Sequence, residues 1–140
     1  RMKVVAIADI DEAKLKLAAE DLHVPPEGCF KSAEELLSKE KLADVLIVAT
    51  QDQQHIAHAM AGLQRGYDLI LEKPIATTPE DCIAIRDEAK RLHKKVAVCY
   101  VLRVRSARSS TSMRWKTSDT GIRRIPLSAA IGAILSVPAR

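Results

Sequence analysis

Short apolar segments alternate with longer amphipathic segments along the first 103 residues of the chain. The apolar segments are hydrophobic at consecutive positions and are predicted to be strands: 3–9, 44–50, 68–72 and 95–102, with a brief extended piece near Cys29 and Phe30. The segments between them place apolar residues at helical spacing and are predicted to be helices: 11–22, 32–40, 52–66 and 78–94. Strands that are apolar on both faces and alternate with helices indicate a parallel sheet covered on both sides. The predicted fold class is therefore α/β, with a doubly wound parallel sheet.

Local signals agree with the predicted helix boundaries. Ser32 is followed three residues later by Glu35, which is the spacing of a capping box. Thr78 is a favourable N-cap, and Pro79 suits the first position of the helix that follows. Gly66 is a typical stop signal for the helix before it. The helix boundaries therefore do not rest on hydrophobic spacing alone.

The composition is typical of a protein that folds in water. With 140 residues, of which 47% are hydrophobic and 29% charged, the chain is long enough for one domain with a core. No apolar run approaches the roughly 20 residues needed to cross a bilayer, and no secretory h-region precedes the first predicted strand. Cys29, Cys82 and Cys99 are scattered without CxxC spacing, as expected for reduced thiols that pack. We therefore expect a cytoplasmic protein with no membrane partner.

The charge and pattern of the chain change after residue 103. Residues 1–103 carry 15 Lys and Arg against 17 Asp and Glu, whereas residues 104–140 carry 7 against the single acid Asp119. The tail has no sustained period and is rich in Ser, Arg and Ala, so an irregular segment is predicted. Its apolar end, AAIGAILSV, fits a disordered extension poorly. A basic tail can indicate nucleic acid, but we prefer a different explanation, given below, and predict no nucleic-acid partner.

Polar residues collect at the ends of the predicted strands. In doubly wound sheets, ligands bind beyond the carboxyl ends of the strands. Asp9 ends the strand 3–9. Ala49 and Thr50 end the strand 44–50 and are followed by Asp52 and His55, and Glu72 ends the strand 68–72 and is followed by Lys73 and Pro74. The sequence therefore predicts a bound cofactor at this edge of the sheet.

Each of the charged or ligating residues at this edge also has a simpler explanation. Asp9 fits the acid that accepts hydrogen bonds from an adenine ribose and repels a 2′-phosphate, but Asp9 or Asp11 would equally cap the next helix. His55 and His58 lie three apart on a helix, yet no third metal ligand is evident, so no metal site is predicted. Two interpretations are open for Lys73. It is a surface lysine at a turn, or a cis bond to the following proline aims its side chain inward.

The segment VLIVATQDQQHIAHAMAGLQRGYDLILEKPIATTPEDC, residues 45–82, resembles the glucose–fructose oxidoreductase and inositol dehydrogenase family, Gfo/Idh/MocA. The family signature is a strand ending in Ala-Thr, a nearby His that opens the next helix, and a strand ending in Glu-Lys-Pro. The residues that match it are Ala49, Thr50, His55, Glu72, Lys73 and Pro74. The segment VVAIADID resembles the family's second strand with its ribose-binding acid at Asp9, and VAVCYVLR resembles the sixth strand with Arg103 at its end. The resemblance covers residues 3–103.

The resemblance implies an oxidoreductase that depends on NAD, with NADP as the alternative, and acts on sugars, inositols or related polyols. Lys73 would be the catalytic residue and would contact both the substrate hydroxyl and the nicotinamide ribose. The implied cofactor-binding residues are Asp9, Ala49, Thr50, Asp52, His55, Glu72, Lys73, Pro74 and Arg103. Full-length members are expected to form homo-oligomers through a second domain.

The chain departs from the family pattern at both ends. The family begins with a strand and a Gly-rich turn, and this sequence begins one strand later. In the strand order 3-2-1-4-5-6, that strand lies between the segments 3–9 and 44–50. We therefore expect a Rossmann-like sheet that lacks its first strand and has two unpaired edges at its centre. Residues 1–103 would be a partial NAD(P)-binding domain, 104–140 would replace the catalytic α/β domain, and the chain itself would be inactive.

The tail has a specific explanation. Read in a shifted frame with a free choice of wobble bases, residues 119–135 can encode a peptide that resembles a segment of the second domain in one branch of the family. We therefore hypothesise that the tail is translated from a shifted reading frame. On this hypothesis its basic charge has no function.

Two other classes of protein compete with this interpretation. A phospho-acceptor receiver domain also has a Lys-Pro pair after a late strand, but Ala49 and Thr50 stand where its phosphorylated Asp is needed, and a further strand follows the helix 78–94. A non-catalytic remnant or binding module of the same nucleotide fold is the other alternative.

Overall fold

The computed structural model of the protein describes residues 3–99 and 133–136. Its strands are β1 (Lys3–Ala8), β2 (Cys29–Phe30), β3 (Val45–Val48), β4 (Asp68–Leu71), β5 (Val96–Val98) and β6 (Ala133–Ser136). Its α-helices are α1 (Glu12–Leu22), α2 (Ala33–Ser38), α3 (His55–Gln64) and α4 (Pro79–Arg91), with single turns of 3-10 helix at Pro26–Gly28 and Asp52–Gln54. Every element predicted within residues 3–99 is present, with ends that differ by a few residues.

The strands form one sheet in the order β2-β1-β6-β3-β4-β5. β1 pairs in parallel with β2, β3 with β4, and β4 with β5. The helices α1, α2, α3 and α4 connect these parallel strands in chain order. The prediction of an α/β fold with a doubly wound parallel sheet is confirmed.

The centre of the sheet differs from the expectation. β6 lies antiparallel between β1 and β3, so the two edges predicted to be unpaired are both paired. Residues 133–136 belong to the segment predicted to be irregular, and that prediction is wrong for these four residues. The physical reason is that an unpaired strand edge inside a sheet leaves main-chain donors and acceptors without partners. An apolar segment far along the chain satisfies them.

The core lies where α2, α3 and α4 cover the sheet. Buried side chains of these helices and of the strands form one cluster, which includes Leu36, Leu46, Leu63, Leu69, Leu71 and Ile85. Gly62 brings α3 close to the sheet, because a Cβ at this position would lie 2.6 Å from Cδ2 of Leu46. In contrast, α1 contains no buried residue, and Leu17 on this helix is 56% exposed.

The predicted caps are formed, and the capping box of α2 differs in one bond, because Glu35 accepts the N–H of the residue before the N-cap Ser32. The hydroxyl of Ser32 accepts the N–H of Glu35 at 3.1 Å, and the carboxylate of Glu35 accepts the N–H of Lys31 at 2.9 Å. The Thr78 hydroxyl caps α4 by accepting the N–H of Asp81 at 3.2 Å. Gly66 has a φ of 84°, which is the left-handed conformation that favours glycine after a helix. These contacts fix where α2 and α4 begin and where the chain leaves α3.

Candidate functional site

Asp9 follows β1 and has a buried side chain that is 6% exposed. Its Oδ1 accepts the N–H of Asp11 at 2.8 Å, and its own N–H donates to the carbonyl of Phe30 at 3.2 Å. Asp11 is the N-cap of α1, because its Oδ1 accepts the N–H groups of Ala13 and Lys14. Of the two acids that the sequence left as alternatives, Asp11 therefore caps the helix. Oδ2 of Asp9 has no hydrogen-bond partner among the described residues.

His55 joins the loops that follow β3 and β4. Its ring is 1% exposed, with Nδ1 at 2.6 Å from the carbonyl oxygen of Pro74 and Nε2 at 3.0 Å from the carbonyl oxygen of Thr50. Both partners are acceptors and a neutral imidazole carries one N–H, so the ring donates to one of the two carbonyls, and the tautomer decides which one. The two loops at the carboxyl edge are therefore held together by one buried imidazole. Cofactor binding by His55 itself stays a prediction.

A second chain of hydrogen bonds connects this edge to the surface. Nδ1 of His58 lies 3.1 Å from Oγ1 of Thr50, and Nε2 lies 3.3 Å from Oε1 of Glu34. His58 is 8% exposed, whereas the side chain of Glu34 is 74% exposed. Hydrogen bonds from its own N–H and then from His58 lower the pKa of Glu34 below its usual value. The result is a continuous polar connection from the loop after β3 to solvent.

Sequence reasoning missed Glu34. The sequence placed His58 only in a pair with His55, whereas the structure gives the two rings different partners. Within residues 3–99 and 133–136, no group of three His, Cys, Asp or Glu side chains is arranged to hold a metal ion. The capping box at Ser32 placed Glu34 in the first turn of α2. Its contact with α3 depends on the tertiary fold, so no local signal could have found it.

The segment Glu72-Lys73-Pro74 follows β4 directly. The N–H of Glu72 donates to the carbonyl of Val48 at 2.9 Å, which continues the β3–β4 pairing by one residue. The bond between Lys73 and Pro74 is cis. The Lys73 side chain is exposed and has no hydrogen bond or ion pair within the described residues. A free ammonium group therefore stands at the carboxyl end of β4.

Cys99 lies beside Glu72. Burial, followed by the charge of Glu72 and a hydrogen bond to it, raises the pKa of the Cys99 thiol. Because the thiolate is the reactive form, a raised pKa fits a thiol that packs, as the scattered cysteines predicted.

The remaining predicted site residues are Ala49, Asp52 and Arg103. Ala49 is half-buried after β3, and Asp52 is exposed on the 3-10 turn before α3. Arg103 lies outside the described residues. Hydrogen bonds connect His55 with Thr50 and Pro74, whereas no hydrogen bond joins the side chain of Asp9 or Lys73 to that group among the described residues.

The edge fits parts of a dinucleotide. The buried Asp9 offers Oδ2 as an acceptor for a ribose diol, and Lys73 offers a free donor. A pyrophosphate is usually bound where a central strand turns through a Gly-rich loop into a helix N-terminus. Here the central strand is β6, which runs the opposite way, and the motif GxGxxG does not occur in the sequence. The described residues therefore suit the two ribose ends of NAD and lack the cradle between them.

Fold and edge together define a nucleotide-binding protein of the Rossmann type. A sequence model of the GFO_IDH_MocA family, described as an oxidoreductase family with an NAD-binding Rossmann fold, matches residues 1–100. The chain belongs to this family, which confirms the resemblance over residues 3–100 and excludes the receiver domain. NAD is the cofactor of the matched domain.

Known relatives are dehydrogenases. The chain is 32% identical over 98 residues to 1-carboxy-3-chloro-3,4-dihydroxycyclohexa-1,5-diene dehydrogenase of Comamonas testosteroni, covering 70% of this chain and 24% of the relative. It is 31% identical over 94 residues to inositol 2-dehydrogenase 2 of Saccharopolyspora erythraea, covering 64% of this chain and 25% of the relative. The chain spans about a quarter of the length of these relatives.

A solved dehydrogenase structure also matches the chain. The WlbA dehydrogenase of Bordetella pertussis, solved with NADH and UDP-GlcNAcA, matches with a TM-score of 0.62 and 26% identity over 69% of this chain and 29% of that one.

None of the helices in the described part of the chain combines the length and the hydropathy of a membrane span.

Proposed function

We propose that the chain is the dinucleotide-binding part of an NAD-dependent oxidoreductase that transfers hydride between nicotinamide and a sugar, inositol or related polyol. The observation that carries this proposal is the pair of groups at the carboxyl edge: the buried carboxylate of Asp9 after β1 and the free ammonium of Lys73 after β4. In a doubly wound sheet these positions lie on the side where ligands bind. An acceptor and a cation there match the two riboses of NAD and a reacting hydroxyl.

Asp9 has the role of the ribose acid. Its Oδ2 accepts hydrogen bonds from the adenine ribose diol, while Oδ1 is held by the N–H of Asp11 at 2.8 Å. A carboxylate fixed in this way repels a 2′-phosphate, so NAD is preferred and NADP is the weaker alternative. The NAD-binding fold of the family and the NADH bound to the WlbA dehydrogenase of Bordetella pertussis support this choice of cofactor.

Lys73 is the catalytic residue of the proposal. When bound, the cofactor supplies the hydride acceptor. The Lys73 ammonium donates hydrogen bonds to the substrate hydroxyl and the nicotinamide ribose, and it stabilises negative charge on the hydroxyl oxygen as the proton leaves. The exposed position of Lys73, without an ion-pair partner among the described residues, leaves its N–H groups available for this role.

The other site residues position this edge. His55 fixes the loops after β3 and β4 through the carbonyls of Thr50 and Pro74. Thr50, Ala49, Asp52, Glu72, Pro74 and Arg103 complete the proposed cofactor contacts. Residues 1–103 would act as a partial NAD-binding unit, and 104–140 stand where relatives continue into the catalytic domain. The 140-residue polypeptide by itself would bind NAD weakly and would be inactive, because residues 3–99 and 133–136 form no pyrophosphate cradle.

The test separates the two ends of the cofactor. Adenosine and nicotinamide mononucleotide are titrated into the 140-residue chain, and backbone amide shifts are followed by NMR. We expect adenosine to shift the amides around Asp9 and the mononucleotide to shift those around Lys73, each with a Kd of about 1 mM, or about −4 kcal/mol. Asp9→Asn should abolish only the shifts caused by adenosine. The matched variant Asp21→Asn, at an exposed position, should leave the shifts caused by both compounds unchanged. Shifts away from this edge would contradict the proposal, and micromolar NAD binding would contradict the absence of a cradle.

The alternative is a non-catalytic binding module. One observation favours it: β6 occupies the central position of the sheet and runs in the wrong direction to present a phosphate-binding turn. The titrations distinguish the two proposals, because a module without a nucleotide site would show no shifts with either fragment.

A further inference from the structure

The position between β1 and β3 holds a strand by main-chain pairing on both sides. Ile134 of β6 lies opposite Ala6 on one side and Leu46 on the other, and Ala133 lies opposite Ile7 and Ile47. The β1 ladder also contains a register shift between Val4 and Ala6. We define the slot as this position between residues 3–7 of β1 and residues 45–47 of β3.

The slot accepts a strand that runs antiparallel to its neighbours, in a sheet whose other pairs are parallel. The strands β1, β2, β3, β4 and β5 pair in parallel, whereas β6 pairs antiparallel with both neighbours. Main-chain N–H and C=O groups of an extended strand can form either type of ladder. Any extended segment whose side chains suit the surroundings can therefore pair with these edges.

The surroundings favour an apolar, uncharged segment. Ala6 and Ile7 of β1 are 1% and 3% exposed, and Leu46 of β3 is 3% exposed. A charged residue in a strand between such neighbours would lose its hydration without a partner. The occupant seen here, Ala-Ile-Leu-Ser, carries no charge, although the tail around it is basic.

The occupant is short and joined by a long connection. Only four residues form β6, and residues 99 and 133 enclose a connection of 33 residues. Four residues make few main-chain hydrogen bonds, so a competing strand of the same length or longer can replace β6.

We propose that the slot is a strand-accepting site, that residues 133–136 are its built-in exchangeable occupant, and that a free apolar strand takes the same place. The interaction is β-strand addition, in which main-chain hydrogen bonds give affinity and alternate side chains give specificity. A consequence, which rests on the proposed function, is that β6 and a glycine-rich strand supplied by a longer chain exclude each other from the sheet.

The test uses the full 140-residue chain and a labelled peptide, AAIGAILSVPAR, which has the sequence of residues 129–140. Ile134→Pro removes a main-chain N–H from the centre of β6 and is incompatible with an interior strand. Ala139→Pro is the matched control, because it introduces the same residue outside β6. We expect the Ile134→Pro chain to bind the peptide at least about tenfold more tightly than the unchanged chain and the control do, since its own strand no longer competes. A scrambled peptide should bind to none of them.

Two further measurements keep the test decisive. If Ile134→Pro does not fold alone, the peptide should restore its helical circular dichroism and the scrambled peptide should not. In the unchanged chain, hydrogen exchange should protect the amides of Ile134 and Leu135. A dimer that exchanges β6 between copies would support the slot. Unprotected amides at these two positions, or a peptide that neither binds nor restores structure, would overturn the proposal. Adenosine and mononucleotide titrations report on the edge separately, so failure of the slot and failure of the proposed function are distinguishable.

Discussion

Replacing His55 tests how the candidate site is held together. His55→Leu puts an apolar side chain of similar size in a position that is 1% exposed, and it removes the ring N–H. The carbonyl oxygens of Pro74 and Thr50, which lie 2.6 and 3.0 Å from the ring nitrogens, then lose the donor that the imidazole supplies. Leaving one buried acceptor unsatisfied costs about 1–3 kcal/mol, so we expect a loss of about 1–3 kcal/mol in the free energy of unfolding.

The assay is urea and thermal unfolding followed by circular dichroism. At roughly 4 °C per kcal/mol for a chain of this size, the Tm should fall by roughly 4–12 °C. His55→Gln, which keeps an N–H donor, should fall between the two proteins. Gln53→Ala, on the exposed 3-10 turn just before α3, is the control and should change the Tm little. A loss of less than about 1 kcal/mol in His55→Leu would refute the reasoning, because it would mean that the two carbonyls need no donor.

Four other predictions follow from the site and the sequence. In a version that contains the complete family domains, Lys73→Ala should lower kcat by about a hundredfold or more with little change in NAD affinity, and retained turnover would remove Lys73 from the mechanism. In the same version, Asp9→Ser should reduce the preference for NAD over NADP, and an unchanged ratio in steady-state kinetics would leave Asp9 only its hydrogen bond to Asp11. Because the folded-state pKa of Glu34 is lowered, its contribution to stability is present above its ordinary pKa and is lost as the pH falls through the folded value. Urea midpoints at pH 6 and pH 3 should therefore differ less in Glu34→Gln than in the unchanged chain, and equal differences would contradict the contact with His58. Sequencing the gene should reveal a second-domain sequence in another frame across residues 119–135, and stop codons there would refute the shifted-frame hypothesis.

Short-range features of this protein could be predicted from the sequence. Ser32 and Thr78 cap α2 and α4 because their hydroxyls reach N–H groups only three residues away. The apolar runs at 44–50 and 68–72 became the adjacent parallel strands β3 and β4, because strands hydrophobic at every position need cover on both faces. The Ala-Thr and Glu-Lys-Pro strand ends also identified the family, since they mark the same edge in the sequence as in the fold.

Contacts between distant segments were decided only by the tertiary structure. Asp9 and Asp11 are equivalent capping candidates in the sequence, and only the path of the backbone shows that Asp11 caps α1. His58 meets Glu34 across 24 residues, and His55 meets Pro74 across 19, so neither partner follows from helical spacing.

The position of β6 in the sheet is the clearest example of a feature that only the tertiary structure decided. The tail has no periodicity that marks a strand, and residues 133–136 pair with strands that lie far back in the chain. Their sequence offers an apolar segment, but only the assembled sheet creates the two open edges that require one. Local signals act over a few residues and can therefore be recognised in the sequence. Strand pairing depends on which edges the rest of the fold leaves unsatisfied, so it is decided when the sheet assembles.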